Sequence, residues 1–268
     1  MKTISILGCG WLGLPLAAFL LKKGFAVKGS VSRLERIELL EQKGIIPWQI
    51  QISDTEITGE NLPGFLASEI LIINFPPARR EDIIAYHTGQ MKQLIEAINK
   101  SSVRYVLFIS STSVYPELNK VITEQDSFEP TKGSGKALIA VEQLLSSQTG
   151  FKTTILRFAG LIGYDRKPGR FLSGKKNIEN GPVNVIHQDD CILIINEIIE
   201  QDVWGEVFNA CSDIHPTRKE FYTLAASKIG LTLPEFTEGS ASFKIVNSDK
   251  IKSRLGYSFK YPNPLETL

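Results

Sequence analysis

The chain has little of the features that would assign it to a class at once. Its three cysteines, Cys9, Cys191 and Cys211, are odd in number and far apart. That fits reduced thiols in a cytoplasmic protein rather than a disulfide framework, and no metal-ligand spacing links them. Neither charge sign is in excess: Lys and Arg number 30, Asp and Glu 29, and the net charge is +1. Such a chain has no global pull towards nucleic acid or a membrane surface. No stripe interleaves aromatic and basic residues, so nucleic acid is not an expected partner. Past the N-terminal run no apolar stretch is long enough to span a bilayer. Repeats and low-complexity tracts are also missing. What is left is ordinary globular composition, 43% hydrophobic and 22% charged, and 268 residues suit one or two domains with a substantial core.

The N-terminal run, from Lys2 to Leu21, has the outline of a secretory signal. Gly8, Gly10, Gly13 and Pro15 interrupt it, no small-x-small cleavage site precedes Lys22, and the chain continues as a strand. The same residues read better as strand, turn and helix. Ile4 to Leu7 is a short apolar strand, Gly8-Cys9-Gly10-Trp11-Leu12-Gly13 is G-x-G-x-x-G, and Leu14 to Lys23 is an apolar helix. In a dinucleotide site Gly8 permits the tight turn, Gly10 admits a pyrophosphate to the backbone, and Gly13 lets the helix pack closely. The phosphates then lie at a helix N-terminus, where N–H groups and the helix dipole favour anions.

The second strand, Phe25 to Val31, ends without the acid that usually holds the ribose hydroxyls of NAD. No Asp or Glu occurs from Gly24 to Leu34; Lys28, Ser30, Ser32 and Arg33 stand there instead. Arg33 with Ser30 or Ser32 suits a 2′-phosphate, so NADP is expected in preference to NAD. The plainer reading of Lys28 and Arg33 is solvated charge. A helix is expected over 34–43 and a strand over 47–52. A further strand over 69–74 ends at Asn74-Phe75-Pro76-Pro77, at the sheet edge where ligands of open α/β sheets bind. Residues 81–100 carry a helical apolar stripe, with His87 as a surface or packing residue.

A strand over 103–109 delivers Ser110-Ser111-Thr112-Ser113-Val114-Tyr115. This hydroxyl cluster reads equally as a crevice-facing group or as a turn capping the next element. Gly133-Ser134-Gly135-Lys136 opens a helix, and Lys152 to Arg157 is the sixth strand. Alternating strands and helices from residue 3 to 157 imply an α/β fold, a doubly wound parallel sheet.

These motifs together resemble the short-chain dehydrogenase/reductase superfamily, in its extended branch of NAD(P)-dependent epimerases and dehydratases acting on nucleotide sugars. The glycine turn, Ser110 to Tyr115, Lys136 with Glu142, Leu156-Arg157 with Gly160 and Gly163, Ile186-His187-Gln188-Asp189-Asp190 and Val207-Phe208-Asn209 occur in that order and spacing. Pro168-Gly169-Arg170-Phe171-Leu172 and His215-Pro216-Thr217-Arg218 resemble an atypical subgroup of nucleoside-diphosphate-sugar epimerase-like chains. The resemblance implies an NAD(P)-binding Rossmann domain over 1–160, completed by segments within 183–210. It implies a smaller substrate-binding lobe over 161–268, interleaved with the first.

The resemblance also implies roles. Gly8, Gly10, Trp11, Leu12, Gly13, Ser30, Ser32, Arg33, Asn74, Pro76 and Lys136 would contact the cofactor, which carries the hydride. Ser111, with Thr112 as alternative, would hold the substrate oxygen, and Lys136 the nicotinamide ribose. The family's tyrosine, four residues before that lysine, is Lys132 here. Lys132, Tyr115 or Tyr164 would then have to move the proton. Tyr164, Arg166 and Arg170, in the basic stretch 164–176, are candidate substrate contacts, or else solvated surface. His187 and Asp190 read as structural. An oxidoreductase acting on a small polar, anionic substrate is expected. A catalytically degenerate NADP(H)-binding sensor or partner-binding protein is the alternative, and a homodimer is left open.

Overall fold

The computed structural model describes residues 2–268, with backbone only for Glu238 and Ser240. In chain order its elements begin β1 (Thr3–Leu7), α1 (Gly13–Lys22), β2 (Ala26–Val31), α2 (Ile37–Glu41), β3 (Ile46–Ile52), β4 (Ile57–Gly59), α3 (Leu62–Leu66) and β5 (Ile70–Ile73). There follow α4 (Ile83–Asn99), β6 (Tyr105–Ser111), β7 (Lys120–Ile122), α5 (Gly133–Ser146), β8 (Lys152–Phe158), β9 (Gly160–Ile162), α6 (Gly169–Leu172) and β10 (Ile178–Asn180). The last are β11 (Val185–His187), α7 (Gln188–Glu200), β12 (Val207–Ala210), α8 (Arg218–Lys228), β13 (Phe236–Ser240), β14 (Lys244–Val246) and α9 (Asp249–Leu255).

Eight strands form one sheet in the order β12-β8-β6-β5-β1-β2-β3-β4. β1 pairs in parallel with β2 on one side and β5 on the other, so the strand order reverses between β1 and β5. This is the doubly wound Rossmann arrangement, and the reversal is its ligand-binding switch point. The expected fold class is the observed one. The edge strand β4, antiparallel on β3, had no sequence signal: it is three residues long and largely exposed.

Composition explains the centre of this sheet. Ile70, Leu71, Ile72 and Ile73 are all fully buried, as are Ile4, Ile6, Val106, Leu107 and Phe108. Parallel strands covered on both faces read as continuous apolar runs, and each such side chain contributes about 1.5–3 kcal/mol when buried. α4 buries Ile83, His87, Met91, Leu94, Ile95 and Ile98 at helical spacing.

The chain forms two compact units. Unit 1 takes the chain up to Val114, then Pro130–Leu156 and Ile198–Val207; unit 2 takes Tyr115–Glu129, Arg157–Glu197 and Phe208–Leu268. The interleaving is finer than a division at residue 160, because β7 pairs with β14 and draws the 115–129 segment into unit 2. Unit 2 has its own core of Ile162, Val183, Val185 and Phe221, with Tyr222, Leu265 and Leu268 packed on it.

Two local expectations change. The helix over 34–43 is a 3-10 turn, Leu34–Arg36, followed by the short α2; Leu34 is 66% exposed and gives the first turn no buried face. The strand over 103–109 runs later, to Ser111, so Ser110 and Ser111 are strand residues. In α8, Phe221, Ala225 and Ala226 are buried while Leu224 faces out. Thr217 caps α8, its hydroxyl accepting the Glu220 N–H at 3.1 Å.

Candidate cofactor site

The glycine turn after β1 uses its three glycines in three ways. Gly8 has φ of +107°, and a Cβ there would lie 2.5 Å from the Asn74 carbonyl oxygen. Gly13 has ordinary φ, but a Cβ would lie 2.2 Å from the Gly8 carbonyl oxygen and 2.9 Å from Asn74 Nδ2. A Cβ on Gly10 would meet nothing within 4 Å. The protein therefore needs glycine at the outer two positions to close its own turn, and has no packing reason for the middle one. α1 then begins at Gly13 with no side-chain cap and no acid in its first turn, which leaves its N-terminus favourable to an anion.

Two predicted cofactor residues hold this turn. Asn74 Nδ2 donates to the Gly8 carbonyl at 2.9 Å. Ser30, 2% exposed, accepts the Gly8 N–H on its hydroxyl at 3.1 Å. Leu12 is 3% exposed, so its side chain belongs to the core. Trp11 and Pro76 lie on the turn and on the loop after β5, half-buried and exposed respectively. Cys9 packs on Gly29, where a Cβ would come 2.7 Å from its sulfur. Burial pushes its thiol up to about 12, with the backbone bond to Ser30 and the Arg36 charge pulling down.

That charge identifies a cation that sequence reasoning missed. Arg36 ends the 3-10 turn begun after Arg33, and both side chains are exposed. Among the described residues neither forms an ion pair. Lys28, by contrast, donates to the Gly64 and Ala67 carbonyls at 2.6 Å each, at the end of α3. It is half-buried, its ammonium tied to that helix end. A cleft of about 350 Å³ opens beside the turn, lined by Leu7, Gly8, Ser30, Ser32, Gln51 and Phe75 among others. Gln51 ties its wall by donating to the Ser32 carbonyl at 3.0 Å.

At the end of β6, Ser111 is half-buried and accepts the Ser113 N–H at 3.1 Å, while Thr112 is 6% exposed. The first turn of α5 lies against this segment, since a Cβ on Gly135 would stand 2.5 Å from the Ser113 carbonyl oxygen. Unit 1 thus brings Ser111, Thr112 and Lys136 into one region. Ser110 and Glu142, both buried, fasten strand to helix through a 2.6 Å hydrogen bond. Lys132 precedes α5 in extended conformation, exposed, one turn from Lys136.

The remaining candidates belong to unit 2. Tyr115 is 3% exposed; its hydroxyl accepts from Arg157 Nη1 at 2.6 Å and donates to Asn209 Oδ1 at 2.9 Å. Burial raises its pKa above 10, against the pull of Arg157. This phenol is a bonded core group with no proton ready for transfer. The Tyr164 hydroxyl donates to Asp189 Oδ2 at 2.9 Å, and that bond pushes its pKa up to about 12. Arg166 and Arg170 are exposed on the loop and on α6. Asp190, fully buried, accepts from the Tyr257 hydroxyl and from the Lys260 and Tyr261 N–H groups. These bonds all lie within unit 2.

A larger cleft in unit 1, about 530 Å³, lies along α3 and α4 against Ser101 and Ser102. Its Lys100 and Glu96 pair with each other at 2.6 Å, and none of the predicted residues reaches it. Among the described residues no helix is long and apolar enough to cross a membrane.

Residues 6–190 match the NAD dependent epimerase/dehydratase family. The chain is 32% identical to Protein YeeZ of Escherichia coli strain K12 over 270 residues, covering 99% of this chain and 98% of that one. Among solved structures it is similar to a UDP-glucose 4-epimerase from Thermotoga maritima, solved with UDP-glucose. The TM-score there is 0.81 at 20% identity, covering 99% of this chain and 96% of the other. It is also similar to a short-chain dehydrogenase/reductase superfamily protein from Agrobacterium tumefaciens with bound NAD, with a TM-score of 0.76 at 18% identity, covering 96% and 92%.

Proposed function

Because this chain belongs to the NAD dependent epimerase/dehydratase family, we propose that it binds NADP at the glycine turn and acts as an oxidoreductase on a small polar, anionic substrate. The observation that carries the reading is Gly10. Its missing side chain serves no contact within the protein, yet a pyrophosphate approaching the backbone requires that space. The Agrobacterium relative's bound NAD supports a nicotinamide cofactor. The preference for NADP rests on Arg33 and Arg36, exposed where an acid would repel a 2′-phosphate.

Gly8, Gly10 and Gly13 would hold the pyrophosphate, Ser32 and Arg33 the adenosine ribose and its phosphate, and Lys136 the nicotinamide ribose. The nicotinamide, when bound, supplies or accepts a hydride. Ser111, with Thr112 beside it, orients the substrate oxygen by hydrogen bonding. Lys132 is the group of this chain at the family's proton-transfer position, one helical turn before Lys136. Nucleotide sugars are the first substrates to try, as the Thermotoga relative was solved with UDP-glucose. The buried thiols of Cys9, Cys191 and Cys211 support a reducing, cytoplasmic setting.

Binding without turnover is favoured by one specific observation: Tyr115 is locked between Arg157 and Asn209, and Lys132 stands exposed. One experiment separates the readings. NADPH binding and its oxidation are followed with a panel of keto-sugar nucleotides, for the wild type and for Lys132→Met, Lys136→Met and Ser111→Ala. The oxidoreductase reading expects turnover that falls about 100-fold or more in Lys132→Met, the range typical of a lost acid/base group. NADPH binding with no oxidation of any substrate selects the sensor. No binding of NADPH contradicts both.

A further inference from the structure

One acid stands apart on the buried face of α5. That face carries Gly135, Ala137, Leu138, Val141, Glu142 and Leu145. Glu142, 4% exposed, is its one ionisable side chain. Its Oε1 accepts the Ser110 hydroxyl at 2.6 Å. Ser110 is 5% exposed, near the end of β6, and both residues belong to unit 1.

Stability alone does not call for this pair. Taking a carboxylate out of water is costly, and apolar side chains of similar volume often serve a fold as well or better. Replacing both partners of a buried hydrogen bond by apolar groups can be close to neutral. What apolar packing lacks is direction. Ala137, Leu138, Val141 and Leu145 favour burial without choosing a register, whereas a short hydroxyl–carboxylate bond admits only one.

The register matters because of what the two elements carry. Ser111 follows Ser110 on β6, and Lys136 lies in the first turn of the helix that holds Glu142. The Ser111 hydroxyl oxygen accepts the Ser113 N–H at 3.1 Å, which leaves its O–H to donate. The Lys136 N–H is bonded to the Lys132 carbonyl at 3.0 Å. At that turn the helix approaches the 112–114 segment through Gly135, where a Cβ would stand 2.5 Å from the Ser113 carbonyl oxygen. Gly135 against Ser113 and Glu142 against Ser110 are thus two fixed points along one helix, and Lys136 stands between them.

We propose, on the roles assigned to Ser111 and Lys136, that Glu142 is a positioning residue. Through Ser110 it locks α5 to the end of β6, and so sets where the Lys136 ammonium stands relative to the Ser111 hydroxyl. It acts through that bond and not on substrate or cofactor.

Two variants of the full chain test it. Glu142→Gln keeps an acceptor for Ser110, and the double variant Ser110→Ala with Glu142→Leu removes both polar partners. The double variant has the urea midpoint of the wild type. Its Lys136 and Ser113 amides nonetheless exchange hydrogen about tenfold faster, while that of Ile72, fully buried in the central sheet, does not change. NADPH binds about tenfold more weakly. With any keto-sugar nucleotide that the wild type reduces, kcat falls about 10- to 100-fold and KM moves little, as expected when orienting groups are misplaced. Glu142→Gln stays within about threefold of the wild type in every measurement. Unchanged exchange at Lys136 and Ser113 overturns the proposal, as does a Glu142→Gln variant as impaired as the double one. A double variant that does not fold, or whose midpoint drops in step with its activity, overturns it too, because the pair then serves stability. A wild type that binds no NADPH ends the cofactor reading instead, and the exchange rates and midpoints still decide whether Glu142 holds Lys136 to Ser111.

Discussion

Asn74 Nδ2 reaches from the end of β5 to the Gly8 carbonyl at the end of β1, 2.9 Å away. The bond crosses the point where the strand order of the sheet reverses. It ties the loop after β5 to the glycine turn, so the residue that looked like a cofactor ligand acts first as a brace. Losing one such bond costs about 0.5–1.5 kcal/mol. Asn74→Ala should loosen the turn and weaken NADPH binding by up to about tenfold. Asn74→Asp should do more harm, because a carboxylate beside the Gly8 oxygen repels where the amide donated. Equal, wild-type affinities in both variants would remove the brace from the account.

Gly13→Ala should damage the fold before it damages binding. The added Cβ would stand 2.2 Å from the Gly8 carbonyl oxygen, a backbone atom that cannot rotate away. Overpacking of this kind costs about 1–3 kcal/mol, read as a lower urea midpoint at unchanged m-value. An unchanged midpoint would show that the turn is slacker than described.

Much of unit 1 was legible because its signals are local. An apolar strand, G-x-G-x-x-G and an apolar helix declare a Rossmann start, and the uninterrupted Ile70–Ile73 run declares a central strand. Side-chain partners across long separations were not legible. Nothing in the sequence tells that Lys28 would reach the Gly64 and Ala67 carbonyls, that Ser30 would accept from Gly8, or that Tyr115 would be sealed between Arg157 and Asn209. Each of these is a tertiary bond between residues at least 22 positions apart. Strands β10, β13 and β14 escaped for the opposite reason: they are short, and pairing sustains them where periodicity does not. Arg36 could have been found by extending the search for cations one helical turn past Arg33.

Arg33 and Arg36 should divide the recognition of a 2′-phosphate between them. Arg33→Glu should weaken NADPH binding far more than NADH binding, and Arg36→Glu should act in the same sense. A charge-assisted hydrogen bond of this kind contributes about 1.5–3 kcal/mol, a factor of about 10 to 160. Fluorescence titration with both cofactors reads it out. Equal losses for NADPH and NADH would show that neither arginine touches the phosphate.

His87 should make the protein sensitive to mild acid. It is fully buried on α4, edge-on to Phe75 at 5.6 Å, with Nδ1 3.1 Å from Gln90 Oε1. Gln90 Nε2 donates to the Ile52 carbonyl, so Oε1 must accept and the ring is neutral with its proton on Nδ1. Burial lowers its pKa below 6.5, against the pull of Gln90. The unfolded chain therefore takes up a proton first as pH falls, and stability drops from about pH 6.5 down to the native value. His187 and His215 are lowered by burial as well. Urea midpoints between pH 7 and pH 5 should fall less steeply in His87→Gln than in the wild type. An identical slope would show that His87 is not a source of the loss.

The most direct test of the central claim is a calorimetric titration of NADPH into wild type and Gly10→Val, with thermal midpoints measured alongside. A Cβ at Gly10 meets no protein atom within 4 Å, so the fold should tolerate the substitution, within about 0.5 kcal/mol. It fills the space assigned to the pyrophosphate. The account predicts tight NADPH binding to the wild type, a clear preference over NADH, and no measurable binding to a fully folded Gly10→Val. Undiminished NADPH affinity in that variant would contradict it.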